Sequence, residues 1–563
     1  MRRLATFTTV LCALSIHPAF AHDGHSTPAP QPTLTTTIDL TNPPRAEWDQ
    51  SAKLTIHLVD TNGKSIPGVV RISDHAGRRI KLPMLLSRAT AITPGDVGPF
   101  AYAHIDSWSL APGAITVSVP REPLVLEAFQ GINTRLARTE IDLSNRSDAE
   151  LTIQLKLLSD SFETTWQTGN CHLHLQKMSA EEAERYACET AAADGYDRVY
   201  FSYLERHEAD RQYISNTFTT SDLARFSARS GVKFGYGEEY RHNFERNSEG
   251  YGHVMFLDLT KLILPASLGE AITKVSNDDH GLRPGIEQAR AQAATILWCH
   301  AARGTEDVPN WIAGLVDVQM LFDTGNIGSY GEALYPYLNI GLHVPLATGT
   351  DWFFRDLAMT CVQTTPNADS ATWLNALRNG RSYITNGPML ELTVNDQPLG
   401  TTLDIAAGET VSVKARALVR TAFGALELIV NGDVVSTVES SELEDHFFAE
   451  LTLKTSPTGS AWIAARVKPF TTNYDEPDTQ QSGFNEYGKP YFAHTSPIYV
   501  RVDGRPIFNR NAAMLLLADI TRARNTIATR GNFTDDAART EFLALYEKAE
   551  KTLGAMLKES GIK

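Results

Sequence analysis

The run Gly169-Asn170-Cys171-His172-Leu173-His174-Leu175 sets two histidines one residue apart where an apolar, strand-like segment ends. Side chains alternate faces along a strand, so His172 and His174 point the same way and both imidazoles can reach one metal ion. By itself the pair is a weak signal, since 16 histidines in 563 residues would give about half of one such pair by chance. Its weight comes from four further residues at similar strand ends later in the chain: Glu239, His253 after a glycine, His300 and Asp351. Four imidazoles and two carboxylates spread over successive strand–helix units describe a hydrolytic metal centre rather than a compact structural zinc knot.

The surrounding pattern supports that placement. Val199 to Ser202, Lys233 to Glu239, His253 to Leu257, Thr295 to His300, Val316 to Met320 and Val344 to Gly349 are short apolar runs. Helical stretches lie between many of them: one opens on Ser179 with Glu182 three residues on, a capping box, and others run at about 221–230, 285–294 and 369–378. With the strand before His172 this predicts about seven βα units over roughly 220 residues, a parallel sheet closed into a barrel, with chemistry at the C-terminal strand ends. His253 is the exception, placed at a strand start. Glu238 competes with Glu239, because only one of two neighbours on a strand faces inward, and Glu239 is favoured.

Outward from the barrel, residues 1–21 predict a signal peptide: Arg2 and Arg3 lead an apolar run that ends at Ala19-Phe20-Ala21. The protein is therefore expected to be exported, periplasmic or extracellular. Residues 22–35, rich in Ser, Thr, Pro and Gln, predict a flexible leader. Residues 36–165 alternate apolar and polar positions and predict an N-terminal β-sandwich, with Asn62-Gly63 as a hairpin turn. The barrel occupies 166–390. Alternation returns over 391–508, predicting a C-terminal β-sandwich, and 509–563 predicts a helical tail broken at Gly531-Asn532.

Composition excludes several classes of partner. The formal charge is −15, and cleavage of a leader holding two arginines and no acid makes the chain more acidic still. Without Lys/Arg clusters, it is a poor candidate for nucleic acid or an anionic membrane. After the leader nothing approaches the ~20 apolar residues of a membrane span. A small-molecule substrate is expected, and the sequence sets no oligomeric state. Cys12 leaves with the leader; Cys171, Cys188, Cys299 and Cys361 are too sparse for a disulfide scaffold and predict buried thiols. Cys171 and Cys299 each precede a proposed ligand, which predicts that they face the helices on the other side of their strands.

Imidazole and carboxylate donors suit Zn²⁺ first, with Mn²⁺ or Fe²⁺ as alternatives, over Ca²⁺, which takes oxygen only. Six ligands suffice for one or two ions if Glu239 bridges, and Asp351 is either a terminal ligand or the base for the attacking water. Arg241, Trp352, Arg381 and Asn386 are candidates for contacting substrate, Trp352 with Phe353 suiting an apolar or aromatic one. His207-Glu208 begins like a zinc-protease helix, but Arg211 stands where a second histidine is required. Neither a Gly-x-Ser-x-Gly elbow nor a P-loop occurs. The remaining histidines, among them His57, His75, His104, His242, His280, His343, His446 and His494, lack a ligand-like setting.

The order His-x-His, Gly-x-Glu, Gly-His, a His ending an apolar strand and Gly-Thr-Asp resembles the PHP (polymerase and histidinol phosphatase) superfamily. More closely, the chain resembles the CehA/McbA-type metallohydrolases. That likeness lies in Asn170-Cys-His-Leu-His-Leu175, Tyr335-Pro-Tyr-Leu-Asn-Ile-Gly-Leu342, Ala347-Thr-Gly-Thr-Asp351, Gly380-Arg-Ser-Tyr-Ile-Thr-Asn-Gly-Pro388 and Ala493-His-Thr-Ser-Pro-Ile-Tyr-Val500. The resemblance implies a distorted PHP-like (β/α)7 barrel flanked by two β-sandwiches and a helical hairpin, and metal positions at His172, His174, Glu239, His253, His300 and Asp351. It also implies cleavage of an ester or carbamate, with a phosphoester as the superfamily's alternative and a degenerate, binding-only barrel as the non-enzymatic one. Two departures from the wider superfamily matter: Ser202-Tyr203-Leu204 replaces Thr-Asp-His, and Trp352-Phe353 replaces a histidine after the final Asp. Both losses remove ligands of a third ion, so one or two are expected.

Overall fold

A computed structural model describes residues 38–206, 208–242, 250–268, 277–300, 304–323, 330–468 and 483–560. The leader over 1–35 and His207 lie outside these residues. The described chain is a mixed α/β structure whose central element is a circuit of short strands. Trp166–His174 pairs in parallel with Arg198–Tyr203, which pairs in parallel with Lys233–His242. Thr295–Trp298, Val318–Met320 and Leu346–Ala347 are parallel in turn. Asp351–Trp352 then returns to lie parallel to Trp166–His174, with Asp351 opposite Leu173 and Trp352 opposite His174. Every residue of Trp166–His174 is buried, as expected of a strand covered on both faces.

One strand departs from the expected parallel order. Gly252–Leu257 runs antiparallel to both of its neighbours, Lys233–His242 and Thr295–Trp298. The cause is chain length: the connection from His242 to Gly252 is too short for a parallel crossover. Reversal brings the start of this strand to the rim where its neighbours end, with His253 opposite Arg241. The one ligand candidate that seemed misplaced at a strand start therefore arrives at the same rim as the others.

Helices cover the circuit with apolar faces. Ala180–Ala193 buries Ala183, Tyr186, Ala187 and Ala191, spaced three and four apart. Its capping box forms: the Glu182 amide donates to Ser179 Oγ at 3.2 Å, and the Ser179 amide donates to Glu182 Oε2 at 2.8 Å. Before the circuit, a three-stranded sheet (Ala114–Pro120, Ser51–Val59, Asp148–Gln154) and a four-stranded sheet (Ser109–Ala111, Gly68–Asp74, Pro123–Phe129, Ala137–Asp142) share one core that includes Leu54, Ile56, Ile72, Val117 and Leu126.

After the circuit, Met359–Gln363 and Ser382–Thr385 extend its sheet antiparallel from Trp166–His174, and Tyr383 opposite Thr495 joins it to the C-terminal strands. A second four-stranded sheet holds Met389–Val394, Val411–Val419, His446–Thr455 and Ser441–Leu443. Two helices, Arg510–Arg530 and Asp536–Glu559, pack Leu516, Ile520, Tyr546 and Leu553 into a core with Val308, Trp311 and Leu338. Among the described residues no helix is long and apolar enough to cross a membrane.

A buried ion pair ties four distant stretches together. Arg88 and Asp194 are both 0% exposed, with Arg88 Nη2 at 2.5 Å from Asp194 Oδ2. The same guanidinium donates to the carbonyls of Phe354 and Asp356, and the Tyr487 hydroxyl donates to Asp194 Oδ1 at 2.8 Å. Removing the cation alone strands a carboxylate in the interior, at a cost of about 3–5 kcal/mol. Arg88→Ala is expected to lower the urea unfolding midpoint by a corresponding amount. An unchanged midpoint would show that the pair does not hold these stretches together.

Candidate metal centre

The strand Trp166–His174 carries one extra residue between Asn170 and Leu173 relative to its partner, a bulge next to the site. Past it, His172 and His174 are both fully buried with ring centroids 4.9 Å apart. The Asp351 strand can come this close because residue 349 is glycine: a Cβ there would lie 2.6 Å from the His172 amide nitrogen. Asp351 and His300 adopt left-handed φ values of 54° and 63°, conformations that cost non-glycine residues on the order of 1–3 kcal/mol. Backbone strain of this kind concentrates at functional sites.

Hydrogen bonds fix both imidazole tautomers. His174 Nδ1 lies 2.8 Å from the Ser202 carbonyl, which only accepts, so Nδ1 carries the proton. His172 Nδ1 lies 2.9 Å from Asp323 Oδ2 and donates to it. Both Nε2 atoms therefore turn inward, and they are 2.9 Å apart. Two acidic oxygens join them. Glu239 Oε2 is 3.1 Å from His174 Nε2 and 3.6 Å from His172 Nε2. Asp351 Oδ1 is 3.3 Å from His172 Nε2 and 3.4 Å from His174 Nε2. A tetrahedral ion with ligands at ~2.0–2.1 Å has ligand–ligand edges of about 3.3–3.4 Å, so these four atoms fit a divalent metal.

A second group shares Glu239. Its other oxygen, Oε1, is 3.3 Å from His253 Nδ1, 3.9 Å from His300 Nε2 and 3.6 Å from Arg241 Nη1. The His253 and His300 rings meet edge-on at 5.1 Å. Glu239 thus presents one oxygen to each group.

The electrostatics of the cluster call for positive charge. Burial disfavours a charged His172, but Asp351, Asp323 and Glu239 outweigh it and push its pKa up to about 9. Burial also opposes ionisation of Glu239, yet hydrogen bonds from His172, His174 and His300 hold it well below the usual carboxylate range. His253 is held well below the ordinary imidazole range, by burial first and then by Arg241.

Of the sequence candidates, His172, His174, Glu239 and Asp351 come together, and His253 and His300 join them through Glu239. Glu238 points away, its Oε2 accepting the Ile263 amide at 2.8 Å, as expected for the neighbour on the opposite face. Arg241 stands beside Glu239. Trp352 is half-buried with its ring 4.9 Å from the His174 ring.

Two substrate candidates are not brought to the cluster as free groups. Arg381 is bonded through its backbone to Gln363, which pairs with Trp166, the first residue of the strand that His174 closes. It therefore sits at the far end of that strand. Asn386 is buried with its amide spent: Nδ2 donates to Asp356 Oδ2 and the Pro490 carbonyl, and Oδ1 accepts the Phe492 amide. Its position is that of a structural clasp.

The cysteines differ from expectation only in part. All four described cysteines are free and buried. Cys171 and Cys299 share a core with Met255, Leu297, Val318 and Ala347 and, as expected of a helix contact, with Trp373, Leu374 and Leu377 of the helix Ser370–Arg378, but Cys299 Sγ also lies within 4.8 Å of ligand atoms of His172 and Asp323. The bulge interrupts alternation at Cys171, and the strand Thr295–Trp298 ends before Cys299.

Sequence reasoning missed Asp323. It is 1% exposed, and its Oδ2 accepts from His172 Nδ1 at 2.9 Å and stands 3.1 Å from His300 Nδ1. Burial opposes its charge, but His300 and His172 hold it far below the usual carboxylate range. The signal was present: an acid just past the apolar run ending at Met320, the same placement as His300 and Asp351.

No family model matches the chain, and no curated protein matches it. Among solved structures, it is similar to a two-domain protein from Bacteroides vulgatus described as containing a predicted PHP-like metal-dependent phosphoesterase, with 11% identity and a TM-score of 0.30 over 56% of this chain and 94% of that one. A likeness of that size carries no weight for the assignment of this site.

A carboxylate behind a metal-bound histidine typically contributes ten- to a hundredfold to metal affinity. Asp323→Asn is expected to weaken Zn²⁺ retention by about that factor in competition with a chelator, while near-ultraviolet circular dichroism stays native. Retention equal to wild type would show that Asp323 does not orient ligands.

Proposed function

We propose that this chain is an exported metal-dependent hydrolase that uses activated water to cleave an ester or carbamate bond of a small molecule. The observation carrying this reading is the pair of tautomer-fixed Nε2 atoms, 2.9 Å apart, flanked by Glu239 Oε2 and Asp351 Oδ1. In this reading His172, His174, Glu239 and Asp351 hold one divalent ion, and Glu239 Oε1, His253 and His300 hold a second. Zn²⁺ suits these donors best, with Mn²⁺ or Fe²⁺ next. When bound, such an ion lowers the pKa of water toward neutrality and polarises a carbonyl or phosphoryl oxygen.

The protein groups supply the rest. Asp351 either completes the first set or serves as the base that takes the proton of the attacking water. Glu239 is too acidic for that task, because three histidines hold its carboxylate ionised, and it serves as the bridge. Arg241 can meet negative charge developing on the substrate. Ester and carbamate cleavage follows the resemblance to CehA/McbA-type enzymes, and export follows the Arg2-to-Ala21 leader. Arg241 beside Glu239 favours one second reading, a phosphoesterase, because phosphoryl transfer rewards a fixed cation at the site.

His174→Ala tests the reading directly. Wild type is expected to carry at least one equivalent of transition metal and to turn over members of a panel of nitrophenyl esters, carbamates and phosphates. The variant is expected to lose both metal and turnover by at least a hundredfold (~3 kcal/mol) while remaining folded. Turnover retained in the variant would reject the assignment, and a metal-poor, inactive wild type would favour a binding-only barrel.

Metal uptake has a pH signature. Without an ion, His172 holds a proton at neutral pH because its pKa is raised to about 9. Loading must expel that proton from Nε2, so affinity weakens as pH falls. Against burial, His300 is likewise held well above the ordinary imidazole range, by Asp323 first. Adding Zn²⁺ to metal-free protein at pH 7 in weak buffer is therefore expected to release at least one proton per chain, read with an indicator dye, and one fewer in His172→Ala. No release would mean His172 is not a ligand.

A further inference from the structure

Four residues beyond Ser202, whose carbonyl orients His174, lies Arg206. Its guanidinium carbon sits 4.7 Å over the Trp352 ring, and that ring is 4.9 Å from the His174 ring. Tyr213 meets the same indole edge-on at 5.5 Å. The guanidinium is held from behind: Nε is 3.1 Å from Asp210 Oδ2, and Nη2 donates to the Tyr213 hydroxyl at 3.0 Å. Asp210 is 1% exposed, whereas the Arg206 side chain is 30% exposed, so the anchor is buried and the cation reaches solvent. Nη1 has no hydrogen bond to any described residue.

This arrangement changes what the Trp352 wall offers a ligand. The sequence suggests an apolar surface, but a guanidinium stacked on the indole covers it and keeps its in-plane N–H groups available. Burial works against the charge on Arg206, yet Asp210, Tyr213 and, from the cluster, Glu239 outweigh it. The cation is permanent and pre-oriented, and Arg241 is a second one beside Glu239. A neutral aromatic ester gains little from such a wall. An oxyanion gains a charge-assisted hydrogen bond from a donor already fixed in place.

We propose that Arg206 is a specificity-determining residue that recognises an oxyanionic group of the substrate, a carboxylate or a phosphate, beside the metal cluster. The proposal rests on the hydrolase reading for its site and names the substrate class.

The test compares wild type, Arg206→Met and Arg206→Lys, all metal-loaded, on three substrates: p-nitrophenyl acetate, mono-p-nitrophenyl succinate and p-nitrophenyl phosphate. In Arg206→Met, the kcat/KM ratio of the preferred anionic substrate to the neutral acetate is expected to fall by about ten- to a hundredfold, mainly through KM, with partial recovery in Arg206→Lys. The succinate and phosphate arms separate the two oxyanions. In parallel, calorimetry with inorganic phosphate and with succinate is expected to show at least tenfold weaker binding in Arg206→Met at unchanged metal content. An unchanged ratio, an equal loss on neutral and anionic esters, or unaltered affinity for both anions would overturn the proposal. If metal-loaded wild type cleaves none of the three, calorimetry alone decides whether Arg206 binds the anion, and the hydrolase reading is judged separately on the wider panel with carbamates.

Discussion

Two buried imidazole Nε2 atoms turned on each other at 2.9 Å form the constraint around which this site is organised. In water such a contact would rotate apart. Here each ring is pinned from the other side, His174 by the Ser202 carbonyl and His172 by Asp323, so neither can turn its proton inward without breaking a buried hydrogen bond. Glu239 and Asp351 bring further negative charge to the same point. A protein interior tolerates that many convergent acceptors only with positive charge among them. Protons provide it in part, which is why His172 is held protonated; a divalent ion would provide it with the observed spacing.

The fold meets this demand by routing strand ends rather than by lengthening side chains. Trp166–His174, Lys233–His242 and Thr295–Trp298 deliver their residues where each strand closes or just beyond it. Gly252–Leu257 delivers His253 at its start, because it runs the other way. Left-handed φ values at His300 and Asp351 then aim two residues that ordinary strand geometry would have pointed elsewhere. Strain at those two positions persists because the surroundings are rigid. The Arg88–Asp194 pair, joined by Phe354 and Tyr487, locks the segment just after Asp351 to the helix end at Asp194 and to distant parts of the chain.

Legibility in the sequence tracks the range of the physics involved. Period-two alternation separates Glu239 from Glu238, and a capping box marks Ser179; both are local effects. Asp323 was not found because it lies beyond its strand, after Phe322 at φ 63°, where alternation no longer says which way a side chain points. The same limit hid the approach of Cys299, one residue past a strand end, to His172 and Asp323. Arg381 and Asn386 belong to a motif that looked functional, but their roles depend on long-range register and on a partner segment around Pro490 and Phe492. No local pattern encodes either.

Asp323 also changes how the two ligand groups relate. Glu239 links them from the front, one oxygen to each, and Asp323 links them from behind through His172 and His300, whose rings stack at 5.6 Å. Charge placed in one group is therefore felt in the other by two routes with little intervening solvent. An ion held by the first group would draw on Glu239 and on the His172–Asp323 bond, the two links that reach His253 and His300. The two groups would accordingly load as a coupled pair, for reasons that lie in the shared carboxylates rather than in the number of ligands on either side.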